Sequence, residues 1–243
     1  MTDILGKRIE VYLLMIKGKN EIEKLNVTRQ MIGTCEYDPV YDLPIITKTD
    51  LSRLDLENLH LCGVQNLSVK RNNHNTLVHM FRYDCELHAY WNNPLKKIPL
   101  FRTCAAISTP DFSVTPDMNI NEMRHNVFKG RWLGKLWQNY GCVVIPTVGW
   151  ADPCTYDLCF SGIEVSSPVI ISTIGCKENK EVFLEGFSAM KKRIRPELIF
   201  VYGDMVQGMT GTFVNFTYTD AFSKKYEQLR LTGISQIFTV EGD

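Results

Sequence analysis

Short apolar runs recur along this chain and alternate with amphipathic stretches, and no feature of the sequence limits its fold more. The runs are Leu43-Pro44-Ile45-Ile46, Leu77-Val78-His79-Met80-Phe81, Cys104-Ala105-Ala106-Ile107, Val143-Val144-Ile145, Val169-Ile170-Ile171, Leu198-Ile199-Phe200-Val201 and Phe213-Val214-Asn215-Phe216. Each is too short for a helix and too uniformly apolar for a half-solvated strand, as expected of strands covered on both faces. Between them, "INEMRHNVFKGRWLGKLWQNYG" sets Met123, Val127, Trp132, Leu136 and Tyr140 near a 3.6-residue period and ends at Gly141. "NKEVFLEGFSAMKKRIRP" sets Val182, Phe183, Phe187, Met190 and Ile194 on one face, with acids leading, bases trailing and Pro196 as a stop. "AYWNNPLKKIPL" after Cys85 reads as a shorter helical link.

Strands alternating with helices predict an α/β fold of (β/α) repeats with a mostly parallel sheet and right-handed crossovers. Seven strand candidates point to a TIM-barrel-like or incomplete barrel, with a doubly wound open sheet as the alternative. The 243 residues, 44% of them hydrophobic, suffice for a sizeable core. The expected organisation is one barrel-like domain over 35–243, preceded by an extension over 1–34 that packs on the body or mediates an interaction. Its apolar patch "VYLLMI" is flanked by charge and followed by no small-residue cleavage site, so it does not read as a signal peptide. No apolar run approaches the about 18 residues of a membrane span.

Lys+Arg and Asp+Glu balance at 27 each, which removes a bulk basic footprint for nucleic acid. Local basic runs remain in "KGRWLGK" and "KKRIR", a pattern more often found on solvated helix faces. Eight cysteines without a C-x-x-C pair read as free thiols in a reducing cytoplasm. Cys154 and Cys159 with His125 or His88 lack the paired spacing of a zinc site.

In either architecture the loops after the C-terminal ends of parallel strands share one rim, where sites form. That rim carries an acid after each of four runs: Asp84, Asp111, Asp152 and Asp204. Carboxylates placed together act as general acid and base, or hold a hard cation. Asp84 and Asp111 are the expected catalytic pair, and no metal ligand set or cofactor is assigned. Ser113, Trp150, Asp152, Ser172, Thr173, Tyr202 and Asp204 are the expected ligand-binding residues. Each has a plainer reading: Asp caps helices and makes turns, Trp150 is packing, and Gly203 serves backbone geometry. His79 lies inside a strand pattern and reads as a buried, hydrogen-bonded residue. The familiar nucleophile, zinc, phosphate-loop and calcium-loop motifs are absent.

The blocks "YDLPIITKTDL", "FRYDCELHAYWNNP", "ISTPDFSVTPDM", "RWLGKLWQNYGCVVIPTVGWAD", "VIISTIGCKENKEVFLEGF" and "LIFVYGDM", in this order, resemble domain-of-unknown-function family 4417. The resemblance runs from about residue 35 to about residue 220. It implies a protein of phages, prophages or other mobile elements, and brings no activity or residue role with it. Ala151 and Pro153 stand where more polar residues are expected. Three functions follow as expectations: a carboxylate-dependent enzyme for a small polar, sugar or nucleotide-type ligand; an effector that binds a host defence or replication protein; and a nucleic-acid-binding accessory using Lys129, Arg131, Lys135, Lys191, Lys192, Arg193 and Arg195.

Overall fold

The computed structural model describes residues 19–217 and 236–242. Eight strands form: β1 (His60–Gly63), β2 (Thr76–His79), β3 (Ala106–Ser108), β4 (Val144–Ile145), β5 (Val169–Ser172), β6 (Ile199–Tyr202), β7 (Gly211–Phe216) and β8 (Gln236–Val240). β1 to β4 pair in sequence order, all parallel. β5, β6 and β7 do the same, and β8 joins β7 antiparallel. The two sheets meet just beyond β4, where Thr147 bridges Ile170 in parallel. There Ile170 N–H donates to Pro146 O at 2.9 Å and Val148 N–H to Ile170 O at 3.0 Å. The strands therefore run in chain order from one edge to the other. A doubly wound sheet would reverse that order at a switch point, so the alternative expected from sequence is ruled out.

Helices cover the outer face. They are α1 (Lys19–Thr28), α2 (Asp84–Asn92), α3 (Ile98–Phe101), α4 (Ile120–Asn139), α5 (Tyr156–Phe160) and α6 (Lys180–Ile194). Alternate strand residues separate two environments, as the two-residue strand period requires. Val78, Ile107 and Val144 pack with α2, α3 and α4, while Val169, Ile171, Ile199, Val201 and Phe213 pack with α5 and α6. Leu77, Ala106, Ile145, Ile170, Phe200 and Val214 form a separate inner cluster, joined by Leu54 and Leu59 from the segment before β1.

An inner cluster spanning β2 to β7 requires the sheet to curl. In a flat sheet β2 and β6 would stand about 19 Å apart. Here the His79 and Tyr202 rings are 4.5 Å apart. Among the described residues no ladder joins β1 to β7 or β8, so the closed barrel is not formed and the curl stays open. Pairing with antiparallel β8 occupies the β7 edge that closure would need. The leucines before β1 fill part of the interior instead.

Two expected elements differ. The run at Leu43 makes only single bridges, Tyr37 with Pro44 and Ile46 with Ile163. Pro44 has no N–H to give a ladder. Val182, expected on the buried face of α6, is exposed, whereas Phe183, Phe187, Met190 and Ile194 are buried. The patch "VYLLMI" lies outside the described residues. From residue 19 onward the extension packs on the body: Leu25 is buried, Trp132 Nε1–H donates to Arg29 O at 2.6 Å, and the Arg29 guanidinium lies 3.5 Å from the Trp91 ring centre. Among the described residues no helix is long and apolar enough to cross a membrane.

α4 packs directly on the end of β3 through glycines one turn apart, at 130 and 134. A Cβ on Gly134 would sit 2.5 Å from Thr109 Cγ2, and one on Gly130 would sit 3.2 Å from Pro110 O. The helix thus presses on the end of β3 and brings its own side chains to the rim.

Candidate functional site

The segments after β3 and β4 converge with α4 and α5 on a cavity of about 250 Å³. Its walls include Asp111, Phe112 and Ser113 after β3, Gly149 and Trp150 after β4, Asn126, Gly130 and Arg131 from α4, and Cys159 from α5. No residue of the inner cluster lines this cavity, so it stands apart from the mouth of the curl. The mouth itself is occupied by the stacked rings of Phe81 and Tyr202, 5.6 Å apart, with His79 beside both.

Asp84, the first residue of α2, fixes the loop after β3. Its Oδ1 accepts from Ser113 N–H at 3.0 Å and from Ser113 Oγ–H at 2.9 Å. Asn126 of α4 donates to Ser113 O at 2.7 Å and reaches Asp84 Oδ2 at 3.5 Å. Behind this wall the buried Lys129 donates to His88 Nε2 at 3.2 Å and lies 4.0 Å from the Phe112 ring centre. Asp84 thus backs the cavity without lining it.

Asp111 is the acid within the cavity. Its N–H donates to Met80 O at 3.3 Å, which sets the loop beside the end of β2. Gly149 stands opposite: a Cβ there would be 3.4 Å from Asp111 Oδ1. Among the described residues no group donates a hydrogen bond to the Asp111 carboxyl. Burial, and then the neighbouring charge of Asp84, push its pKa up to about 7. Desolvation and a like charge both disfavour the anion, and only the residue's partial exposure moderates them.

Arg131, unlike the partly exposed Asp111, is buried. Its Nε donates to Ser161 O at 2.9 Å, Nη1 to Thr147 O at 3.3 Å and Nη2 to Cys159 O at 2.6 Å. Burial lowers its pKa to about 10, so it remains a cation. Cys159 is a poor nucleophile, since burial pushes its thiol up to about 11. Trp150 is clamped by Phe160, Phe183 and the bare face of Gly186, where a Cβ would fall 2.0 Å from the indole Nε1.

The family described as Domain of unknown function (DUF4417) matches residues 35–219. The chain belongs to the DUF4417 family. Among its relatives, Gene 1 protein of Mycobacterium phage L5 is 31% identical over 203 residues, covering 82% of this chain and 85% of the phage protein. Gene 1 protein of Mycobacterium phage D29 is 36% identical over 129 residues, covering 52% of this chain and 48% of that relative. Both are phage proteins, in keeping with the phage association that the sequence blocks imply. No solved structure matches.

In this DUF4417 chain the structure brings together Asp84, Asp111, Ser113 and Trp150 of the expected residues. Asp152 does not line the cavity: its Oδ1 accepts from Cys154 Sγ–H at 2.9 Å, and its carbonyl starts a 3₁₀ turn. Ser172 and Thr173 each donate to Tyr202 O at 3.4 Å. With Asp204 they stand at the ends of β5 and β6, away from the cavity walls. Asn126, Gly130, Arg131 and Cys159 are wall residues that the strand-end reasoning passed over. Lys129, Arg131 and Lys135 were expected on a basic face and are instead buried. The exposed remainder of that set is Lys192, Arg193 and Arg195, with Lys191 half-buried.

Proposed function

We propose that this DUF4417 protein is an enzyme that holds a small polar ligand between the β3 and β4 loops and α4, with Asp111 as its acid–base group. The feature that supports it most is the Asp111 carboxyl, set in the cavity with no hydrogen-bond donor among the described residues, where burial and then Asp84 raise its pKa to about 7. A group poised there exists in both protonation states at neutral pH, so it can take a proton from a bound ligand and return it. Asp84 serves that poise from behind the wall, because its charge keeps the Asp111 proton on. Trp150 gives the ligand a flat apolar wall, of use to a sugar or a nucleobase. The phage origin of the relatives supports action inside the bacterial host cell.

A melting-temperature screen against sugars, nucleobases and nucleotides tests this reading. Ligands that bind only the native state raise Tm. The expected result is a saturable rise with one chemical class, which then reports turnover in the native protein and none in Asp111→Asn. A ligand that seats in the cavity and is turned over equally by both proteins would sink the acid–base role. The effector and nucleic-acid readings have less support, and the burial of three of the seven cations weakens the latter.

A further inference from the structure

We infer that Arg131 forms an oxyanion subsite in this cavity, so that the ligand carries a carboxylate or phosphate group. The cavity wall carries an uncompensated charge. Arg131 is 5% exposed and lines the cavity, yet among the described residues it forms no ion pair. A buried cation is ordinarily matched by an anion. Three of the five guanidinium N–H groups go to backbone carbonyls. One N–H on each terminal nitrogen is left without a partner among the described residues. A planar pair of donors of this kind suits an oxyanion.

The carboxyl across the cavity agrees with this. Asp111 is not paired with Arg131, so the cavity holds a cation at one wall and, at another, an acid that keeps its proton below about pH 7. An oxyanion seated between them receives N–H bonds from Arg131 and an O–H bond from protonated Asp111. Ionisation of Asp111 would remove that O–H and add a repelling charge. Of the other charged or titratable groups, Asp84 on α2 acts on Asp111 and Asp111 in turn on Cys159 of α5, while Lys129 on α4 and His88 on α2 lie against Phe112. Cys159 stays a thiol.

The inference rests on the proposed function for the role of Asp111 alone, and its test needs no turnover. The full chain is titrated with acetate and with inorganic phosphate at constant ionic strength set by chloride, reading Tm and tryptophan fluorescence. Saturable binding lost in Arg131→Met is the expected result. Phosphate without acetate would assign a phosphoryl group, and binding of both a carboxylate as well. Acetate affinity should fall by up to about tenfold from pH 6 to pH 8, and Asp111→Asn should remove that fall. If Arg131→Met does not fold, the Asp111→Asn comparison decides alone. Absence of saturable binding, binding kept in Arg131→Met, or a pH dependence kept in Asp111→Asn overturns the subsite. A protein that binds anions through Arg131 but turns nothing over would sink the acid–base reading and leave the subsite standing. A protein that turns over only uncharged ligands would do the reverse.

Discussion

The imidazole of His79 on β2 lies 4.5 Å, centre to centre, from the phenol ring of Tyr202 on β6. Two strands separated by three others meet there, so the pair seals the mouth of the curled sheet. Phe81 N–H donates to His79 Nδ1 at 3.4 Å, which leaves the ring proton on Nε2. Burial, and to a lesser degree Arg82, lower the His79 pKa to about 4.

Acid should therefore open the mouth. The folded pKa lies below the unfolded one, so this contribution is fully present above pH ~6.5 and is lost as pH falls through about 4. The shift corresponds to about 3 kcal/mol. Urea unfolding of the native protein and His79→Phe at pH 7.5 and pH 4 measures it. The variant keeps an aromatic ring against Tyr202 and should lose less stability on acidification. Parallel pH profiles would show that His79 is not the group concerned.

Asp111 works in the opposite sense. Its folded pKa is raised to about 7, so its stability contribution is complete below pH ~3.8 and lost as pH rises through about 7. The carboxyl keeps some contact with water through the cavity, which trims the cost to about 2–4 kcal/mol. Asp111→Asn should raise Tm at pH 8, with the gain shrinking at pH 5. Tm values that match at both pH values would show that the carboxyl ionises without penalty.

Gly186 should resist a change that ordinarily helps a helix. Gly→Ala in a helix interior typically gains about 1 kcal/mol. At Gly186 the new methyl would meet the Trp150 indole at 2.0 Å. Gly186→Ala should instead cost about 1–3 kcal/mol, the usual range for overpacking. In a Trp150→Ala background the same change should become stabilising, a sign reversal that a double-mutant cycle reads directly.

Gly134 sets the distance between α4 and the sheet. Gly134→Ala would bring a methyl to 2.5 Å from Thr109 Cγ2 and 2.7 Å from Ile46 Cδ1. A loss of about 1–3 kcal/mol is expected by chemical denaturation. Thr109→Ser removes one of the two contacts and should restore part of it. Full tolerance of Gly134→Ala would show that the helix can back away freely.

The runs that became β2 to β7 were legible because strands covered on both faces leave continuous apolar signatures. β1 was not: "HLCG" mixes a His and a Gly with two apolar residues and falls below any pattern threshold. Asp84, Asp111, Ser113 and Trp150 could be read from their place just after strands. Arg131 and Asn126 could not, because charged and polar residues on a helix are assumed to face water. One signal was present. From Gly130 to Trp137 the sequence "GRWLGKLW" carries small or apolar residues around the whole helix, so the cations among them had no wet side to take. The open curl also escaped the sequence, since strand count alone does not say whether the last edge meets the first.

Every residue of the cavity wall, from Pro110 to Cys159, falls within about fifty consecutive positions of the chain. β6, β7 and β8 supply none of them. Occupancy would accordingly slow amide exchange in β3, β4 and α4 and leave the far strands exchanging at their own rate. The thermal stability of the two halves would then part company on ligand binding, with the clamp of Trp150 against Gly186 as the hinge between them.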